Sequence, residues 1–376
     1  MTNNSRAAKQ TDAYPKRAHA RSGSRHGVLK AVSLVLAGVL AFGASAAFAG
    51  VNRIQNLATK VDVSGLVAPV PGAPMVAPDD LAAGTAMNIL VLGVDDRSGE
   101  NGDLSDNATG GMRSDTAMVV HIAADRSRVE VVSIPRDSMV KIPECRTTSG
   151  DILPAQKIGM FNSAFARGMD YGGDIASAAA CTINTVQANT GLTMNHFVVV
   201  DFAGYKGMVD ALGGIDINIP EAVDAKKVGG LKLEAGQQTI TGMDALKLVR
   251  ARKGTGWGLE MGSDLSRIER QQAVMDATIA TALSKNFLTD LPKLTTFMTA
   301  AMTSLTMNPE LSNNLLGLAT SFKGFSTSDV EFVKLPLADY PADKNRVIWA
   351  YGSDEIWANL LNDQQAVAPT TPDATN

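Results

Sequence analysis

The sequence is poor in the residues that form soft-metal sites: its 376 residues include 2 cysteines and 4 histidines. Structural zinc sites take four ligands from Cys and His, so a Cys-rich zinc centre is nearly excluded. Two cysteines are also too few for a small scaffold held together by several disulfides. Any phosphate or metal chemistry in this chain must therefore depend on aspartate, arginine and lysine.

The sequence also lacks an excess of charge of either sign. It has 34 Lys and Arg against 38 Asp and Glu, a formal net charge of -4. This balance gives no overall electrostatic attraction for nucleic acid, so we expect no nucleic-acid partner. Hydrophobic residues make up 45% of the chain and charged residues 19%, which is typical of a globular protein and excludes disordered or collagen-like chains. The length suits one large domain or two smaller ones.

The N-terminus differs sharply from this average. Residues 1–30 are polar and basic and predict a disordered cytoplasmic arm, and residues 31–51 form an uncharged, mostly apolar run long enough to span a bilayer. Because the basic flank stays in the cytoplasm, the sequence predicts a single-pass type II protein of the cell membrane, with the rest of the chain outside the cell. A cleaved signal peptide is the alternative, since residues 44–49 have cleavage-site character, and it would export the same domain.

The remaining chain divides into three parts. Residues 52–86 carry four prolines among small residues and predict an extracellular stalk, and residues 364–376 predict a disordered tail. Between them, at 87–363, runs rich in Val and Ile alternate with helical patterns, which predicts an α/β fold whose central sheet is covered by helices. We expect the second and third strands to pair antiparallel, because a short connection joins them. The predicted strands are Met87–Asp95, Thr116–Ala123, Val129–Ile134, Asn195–Phe202, Ile215–Pro220 and Val330–Leu335.

Helical patterns occupy the segments between most of these strands. Two further helical patterns, rich in Met, Leu and Ala, follow Leu291 at 292–305 and 309–322 and are expected to pack as a layer over the sheet. The other predicted helices are Asp174–Thr190, Ala203–Leu212, Thr241–Val249 and Asp264–Leu283.

The two cysteines, Cys145 and Cys181, both fall in the part predicted to be exported. In an oxidising compartment a pair of cysteines is more often bridged than free, so we expect a disulfide between them. The alternative is one buried thiol and one thiol in a loop. Neither cysteine neighbours a histidine in sequence, which gives no local support for catalysis by cysteine.

Polar residues cluster where three predicted strands begin or end. Asp95 and Arg97 follow the first strand, Arg113 and Asp115 precede the second, and Arg136 follows the third. Open α/β sheets bind ligands at such a rim. Carboxylates there suit Mg²⁺, or Mn²⁺ in its place, and the planar fork of arginine matches phosphate. A single Asp–Arg pair could be a surface salt bridge, but three strand ends together predict a site for an anionic ligand.

A second polar group lies further along the chain. Arg250 and Arg252 stand at the exit of a predicted helix, and Asp264, Arg267 and Gln271 share one face of the next helix. A polar strip beside an apolar stripe is also ordinary on a surface helix. Joined to the two arginines just upstream, it predicts one wall of an anion-binding pocket.

These residues occur within motifs whose order resembles the LytR–CpsA–Psr family. Each motif alone is weak, but seven in order are specific, and the resemblance covers roughly residues 87–363. The motifs are Gly93–Arg97, Arg113–Thr116, Ser133–Asp137, Phe161–Phe165, Val209–Ile215, Arg250–Arg252 and Asp264–Gln271.

The resemblance implies a membrane-anchored extracellular enzyme that transfers a glycopolymer from a polyprenyl-pyrophosphate lipid to peptidoglycan. It implies a three-layer α/β/α core with a central mixed sheet and an apolar tunnel for the lipid tail. In this chain Asp95 and Asp115 would hold Mg²⁺, and Asp264 would orient an arginine or take part in proton transfer. The resemblance assigns catalysis and the binding of pyrophosphate or sugar to Arg113, Arg136, Asp264, Arg267, Arg97, Arg250, Arg252, Gln271, Lys157 and Asn162.

The sequence departs from the family pattern in three places. About fifteen residues separate Arg97 from Arg113, so the first loop is lengthened, and Val140 stands where some members carry a further arginine. Lys157 is not cleanly aligned with the lysine of the fourth motif. Two other functions remain open: hydrolysis of the same lipid pyrophosphate with water as acceptor, and a non-enzymatic role in binding wall polymer or regulating envelope genes.

Overall fold

A computed structural model describes most of the segment predicted to fold. The predicted basic arm at 1–30 and membrane span at 31–51 lie outside the described residues, as does the end of the tail. No helix in the described part of the chain is long and apolar enough to cross a membrane. The described residues are 56–70, 84–95, 112–260, 264–284, 291–321 and 327–367.

Short and long strands alternate with helices along these residues. In chain order the strands are β1 (Thr59–Lys60), β2 (Met87–Asp95), β3 (Arg113–Ile122), β4 (Val129–Ile134), β5 (Met139–Ile142), β6 (Cys145–Arg146), β7 (Ile152–Leu153), β8 (Gln156–Met160), β9 (His196–Val200), β10 (Ile215–Ile219), β11 (Val223–Ala225), β12 (Leu231–Leu233), β13 (Gly236–Ile240), β14 (Leu305–Met307), β15 (Val330–Val333), β16 (Leu337–Tyr340) and β17 (Asp343–Trp349). The helices are α1 (Asn162–Gly172), α2 (Ile175–Thr190), α3 (Phe202–Ala211), α4 (Gly242–Arg250), α5 (Asp264–Ser284), α6 (Leu291–Thr303), α7 (Pro309–Ser321) and α8 (Ser353–Leu361).

The largest sheet has seven strands in the order β1-β14-β9-β2-β3-β4-β15. β2 lies antiparallel to β3 and parallel to β9, and β3 lies antiparallel to β4, as the short connection between the second and third predicted strands indicated. β4 and β15 are parallel. The α/β fold with a central mixed sheet is therefore confirmed.

Both faces of this sheet are covered, because successive side chains of a strand point to opposite faces. On β2, Leu90 and Leu92 pack in one core with Trp357 of α8. Ile89 packs in another core with Met302 of α6 and residues of α7. The sheet thus lies between two groups of helices, which explains why its strands are apolar along nearly their whole length.

A second, smaller unit packs beside the sheet around α3, α4 and α5. The strand predicted at Ile215–Pro220 forms as β10, but it pairs with β13 outside the central sheet. Its burial pattern shows why. The side chains of Ile215, Ile217 and Ile219 are buried, whereas the residues between them are exposed. This alternation is typical of a sheet that is covered on one face only. This unit determines where the C-terminal end of α4 lies.

The folded domain extends beyond both predicted boundaries. Within the predicted stalk, β1 pairs parallel with β14, and Ala58 and Val63 are buried. At the other end Ala366, in the predicted tail, is buried, and its amide donates a hydrogen bond to Glu130. Both boundaries were placed from proline content and small polar residues, and a few buried apolar side chains outweigh that signal.

Two further elements differ from the expectations. α1 was not predicted, although the motif at Phe161–Phe165 lies at its start. The helix expected to run to Leu305 ends at Thr303, and Leu305–Met307 forms β14 between β1 and β9. Three residues are too few to show an alternating pattern, so only the pairing partners select a strand here.

The predicted disulfide between Cys145 and Cys181 is confirmed, with 5.2 Å between the Cα atoms. It joins β6 to the first half of α2. Both cysteines are buried beside Leu153, so the bond fixes a peripheral hairpin to the helix that covers one face of the sheet.

Reduction of this bond is expected to lower the free energy of unfolding by about 2–4 kcal/mol, because the bond closes a loop with a sequence separation of 36 residues in the unfolded chain. Urea unfolding of oxidised and reduced protein measures the difference.

Mass mapping without reductant should recover the peptides of Cys145 and Cys181 joined by the disulfide. Recovery of both cysteines as free thiols from protein purified without reductant would contradict the assignment.

Because two histidines are buried, we expect the free energy of unfolding to fall in mild acid. Burial lowers the pKa of His121 and of His196, whereas a histidine in the unfolded chain titrates near about 6.5. Below that value the unfolded chain binds protons that the folded protein does not, so the free energy of unfolding should fall as the pH drops from about 7.5 to 5.5.

Urea titrations across this pH range test the expectation, and His196→Gln should make the pH dependence shallower. His196 suits the test because it is buried, and burial is the main cause of its lowered pKa. A free energy of unfolding that does not change across this range would contradict the prediction.

Candidate active site

A cavity of about 870 Å³ lies between the central sheet, α3 and α5, a volume typical of a ligand pocket. Its lining falls into two chemical groups. The charged and amide side chains are Arg113, Asp115, Arg136, Asn162, Asp201, Lys227, Arg250, Arg252, Lys253, Arg267, Gln271 and Gln272. The apolar and aromatic side chains include Val91, Met118, Val200, Phe202, Tyr205, Met208, Val209, Leu246, Val249, Val274, Met275, Phe297 and Leu305.

Asp115 joins the two groups of residues that the sequence placed separately. Its Oδ1 accepts a hydrogen bond from Nη1 of Arg136 at 2.9 Å, and its Oδ2 accepts one from Nη2 of Arg252 at 3.3 Å. Arg136 follows β4, whereas Arg252 follows α4. The strand-end rim and the exit of α4 therefore meet at Asp115.

Arg136 is oriented from its other side as well. Its Nε donates to Oδ2 of Asp137 at 3.3 Å, and Oδ1 of Asp137 accepts from Nη1 of Arg346 at 3.0 Å. Asp137 is buried, with 7% of its side chain exposed. Arg346, Asp137, Arg136, Asp115 and Arg252 thus form a row of alternating charge, hereafter the ion row. Sequence reasoning missed Arg346, which lies on β17 with no motif around it.

Arg250 has a different partner. Its guanidinium lies 4.5 Å from the centre of the Phe202 ring, within the distance of a cation–π contact. Phe202 begins α3, which Asp201 caps by accepting a hydrogen bond from the Gly204 amide. Arg250 is still helical, and the chain becomes extended at Ala251, so the two arginines leave α4 toward different partners while both line the cavity.

Arg113 and Arg267 of α5 are two further basic side chains of the cavity. Nη1 of Arg113 donates to Asp170 of α1 at 3.1 Å, but both side chains are more than a third exposed, and such pairs add little stability. Arg267 is buried, and the side-chain amide of Gln271 reaches the Val249 carbonyl at 3.5 Å. Arg267 and Gln271, two residues of the α5 face predicted as a wall of the pocket, line the cavity.

Of four further predicted site residues, only Lys157 has a side chain that the structure describes. Lys157 is exposed on β8 and is not among the described residues that line the cavity. Arg97 lies outside the described residues. For Asp95 and Asp264 the structure gives the backbone alone: Asp95 pairs with Arg113 in the β2–β3 ladder, and Asp264 begins α5.

The donor set suits a cation shared with a phosphate ligand better than a site made by protein alone. Within the described ranges no cluster of three or more His, Cys, Asp or Glu could hold a metal ion. Mg²⁺, however, commonly takes one or two protein carboxylates and completes its shell with water and phosphate oxygens. Asp115 supplies one such carboxylate at the wall of the cavity, and this side chain fits such an ion.

The apolar part of the lining is the feature that sequence reasoning could not place residue by residue. Leu246, Val249 and Val274 come from helices, and Val91 and Met118 come from the sheet. Tyr205 lies among them, and burial raises the pKa of its hydroxyl, so it stays protonated at neutral pH. The cavity therefore offers cationic and hydrocarbon surfaces to the same ligand.

Named relatives match this chain over part of their length. The cell wall biosynthesis protein LcpA of Corynebacterium glutamicum is 28% identical over 274 residues, which are 69% of this chain and 51% of LcpA. The polyisoprenyl-teichoic acid–peptidoglycan teichoic acid transferase TagU of Oceanobacillus iheyensis is 30% identical over 204 residues, 54% of each chain. The chain thus spans about half the length of these curated relatives.

Solved structures show the same fold. A LytR-Csp2A-Psr enzyme from Actinomyces oris matches with a TM-score of 0.59 and 20% identity, covering 81% of this chain and 95% of that one. TagT bound to LI-WTA matches with a TM-score of 0.55 and 23% identity, covering 81% and 98%. The sequence pattern of the LytR_cpsA_psr family matches residues 53–365, which include the whole lining of the cavity, and the chain belongs to that family.

Proposed function

We propose that this protein transfers a glycopolymer from a polyprenyl-pyrophosphate carrier to peptidoglycan, with a phosphodiester as the new linkage. The observation that carries the proposal is the cavity, which sets guanidinium groups around Asp115 beside apolar lining residues. A ligand that matches both surfaces has an anionic head and a hydrocarbon tail. Relatives named as polyisoprenyl-teichoic acid–peptidoglycan teichoic acid transferases support the same chemistry.

The arrangement suits phosphoryl transfer by positioning and charge. The acceptor hydroxyl attacks the phosphorus that carries the polymer, the bond from that phosphorus to the bridging oxygen breaks, and polyprenyl phosphate leaves. Negative charge grows on the departing phosphate, where the arginines of the cavity stabilise it. Phosphoryl transfer needs little covalent chemistry from the protein, which fits a site made of arginines and carboxylates.

Asp115 and Asp95 are the residues that would hold Mg²⁺, or Mn²⁺ in its place, and the ion would neutralise charge on the pyrophosphate. Asp264, at the start of α5, is proposed to orient an arginine or to move the proton of the acceptor hydroxyl. Arg97, Asn162 and Lys157 are proposed to contact pyrophosphate or sugar; of these, Asn162 lines the cavity.

The setting proposed for this reaction is the outer face of the cell membrane, with residues 31–51 as the single anchor. The disulfide between Cys145 and Cys181 supports an oxidising compartment, because such bonds are rare in the cytosol. The lipid-linked donor and the peptidoglycan acceptor would then both be on the same side of the membrane as the domain.

Product analysis separates the transferase from the other two functions. Purified protein is incubated with a lipid-linked donor, with and without peptidoglycan, and the products are identified by mass spectrometry. A transferase forms polymer-linked peptidoglycan and polyprenyl phosphate only with the acceptor. A hydrolase releases polymer phosphate without it, and a non-enzymatic binder leaves the donor intact.

Arg250→Lys and Arg252→Lys are each expected to lower the transfer rate by about tenfold or more, because lysine keeps the charge but loses the planar fork. The measurement is the initial rate with lipid-linked donor, with thermal unfolding recorded for each variant. Arg146→Lys, an exposed position on β6, is the matched control. Full activity in both cavity variants would remove these arginines from the site.

Asp115→Asn should lower the transfer rate and weaken its dependence on Mg²⁺, because the amide keeps the shape of the carboxylate and removes its charge. The effect on stability should be small, since 30% of the Asp115 side chain is exposed and Arg136 keeps Asp137 as a second partner. A magnesium titration of the rate tests this, with Asp125→Asn, in the distant β3–β4 turn, as control. An unchanged titration curve would contradict the metal assignment.

A further inference from the structure

Arg270 of α5 is a buried arginine inside the motif Asp264–Gln271, but it has been given no role so far and does not line the cavity. Its side chain is 1% exposed. Nη2 donates to the carbonyl of Ala251 at 2.8 Å, and Nη1 donates to the carbonyl of Trp257 at 2.8 Å. Ala251 is the residue between Arg250 and Arg252, so one guanidinium holds the backbone that carries both arginines.

The segment that Arg270 holds, residues 251–260, adopts a conformation that needs support. Trp257 has a φ of 48°, the left-handed region that a bulky side chain rarely enters. Its amide donates to Oε2 of Glu221 at 2.8 Å, and Thr255 exchanges two backbone hydrogen bonds of 3.0 Å with Asp224. Such backbone strain persists only where the surroundings over-determine it, and Arg270 supplies contacts near both ends of the segment.

The charge of Arg270 is unusual for its surroundings. Burial, together with the neighbouring Arg267, lowers the pKa of Arg270 to about 10, against the attraction of Glu269, so it remains a cation at neutral pH. Within the described residues its hydrogen-bond acceptors are the two carbonyls. A buried cation without a carboxylate partner is costly, and a single neutral side chain would not hold two carbonyls in this way. The cost is consistent with a role in the site.

We propose that Arg270 is a positioning residue for the pyrophosphate site: by fixing the Ala251 and Trp257 carbonyls, it sets Arg250 and Arg252 at the distances that the anion requires. The inference rests on the proposed function, because it assigns Arg270 to the recognition of that substrate's pyrophosphate. Lysine at this position keeps a charge but cannot present two nitrogens in one rigid plane, so Arg270→Lys isolates the fork from the charge.

The test measures binding of inorganic pyrophosphate to the full chain by calorimetry. Arg270→Lys is expected to weaken the binding by about tenfold. Arg126→Lys is the matched control, because Nη1 of Arg126 also donates to two backbone carbonyls, those of Thr85 and Ala123, at 2.9 and 2.7 Å. These lie at the opposite end of β2 and β3 from Asp115. The control should bind pyrophosphate within twofold of the original protein.

A double-mutant cycle separates positioning from general support of the fold. If Arg270 acts through Arg250 and Arg252, a protein with both Arg250→Lys and Arg252→Lys should bind pyrophosphate almost as weakly as one that also carries Arg270→Lys, since the added change has little left to disturb. Effects that simply multiply would overturn the proposal, as would undiminished binding in Arg270→Lys alone.

The rate of proteolysis measures how firmly residues 251–260 are held, without any ligand. Trypsin cleaves after Arg252 and Lys253, and both sites should be cut faster in Arg270→Lys than in the Arg126→Lys control. If Arg270→Lys does not fold, Glu221→Ala, which releases the Trp257 amide from an exposed side chain, should weaken pyrophosphate binding in the same direction. Equal cleavage rates would overturn the proposal. Failure of the unaltered protein to bind pyrophosphate would instead count against the proposed function.

Discussion

The carboxylate of Asp115, shared between Arg136 and Arg252, is the contact on which the site depends. Arg136 comes from the rim of the central sheet, and Arg252 from the smaller unit around α4 and α5, 137 residues away from Asp115 in sequence. Both units contribute basic and apolar side chains to the cavity that lies between them. The ion row continues from Arg136 through Asp137 to Arg346. The position of the Asp115 carboxylate is therefore coupled to β17, which carries Arg346. Like-charged arginines can stay close together before a ligand arrives because carboxylates separate them.

Much of the site could be read from the sequence because the relevant signals are local. β2 and β4 begin and end where their Val- and Ile-rich runs predicted, and polar residues at strand ends meet at a rim by geometry alone. The spacing of Arg267 and Gln271 is one helical turn, so they share a face whatever the rest of the fold does. These inferences needed no knowledge of which residues are far apart in sequence and close in space.

The features that sequence analysis missed depend on contacts between residues that are far apart in the sequence. In the sequence Phe202 is an ordinary apolar residue, and only the structure shows that the Arg250 guanidinium lies over its ring. Arg346 gains its role only because β17 brings it to Asp137. β10 carries the same Ile-rich signal as a central strand, and only its buried–exposed alternation shows that it belongs elsewhere. Arg270 reads as one more charge in a polar helix, and only burial reveals it.

The pairing of β1 with β14 determines where this domain can be cut. β14 would be an edge strand of the central sheet without β1, and an unpaired edge offers its backbone amides and carbonyls to any extended chain nearby. A recombinant fragment starting at Met87, the boundary that composition suggests, would remove Thr59 and Lys60 and uncover that edge. A fragment starting before Ala58 keeps the edge covered, so choosing this start site is a matter of solubility as well as of completeness.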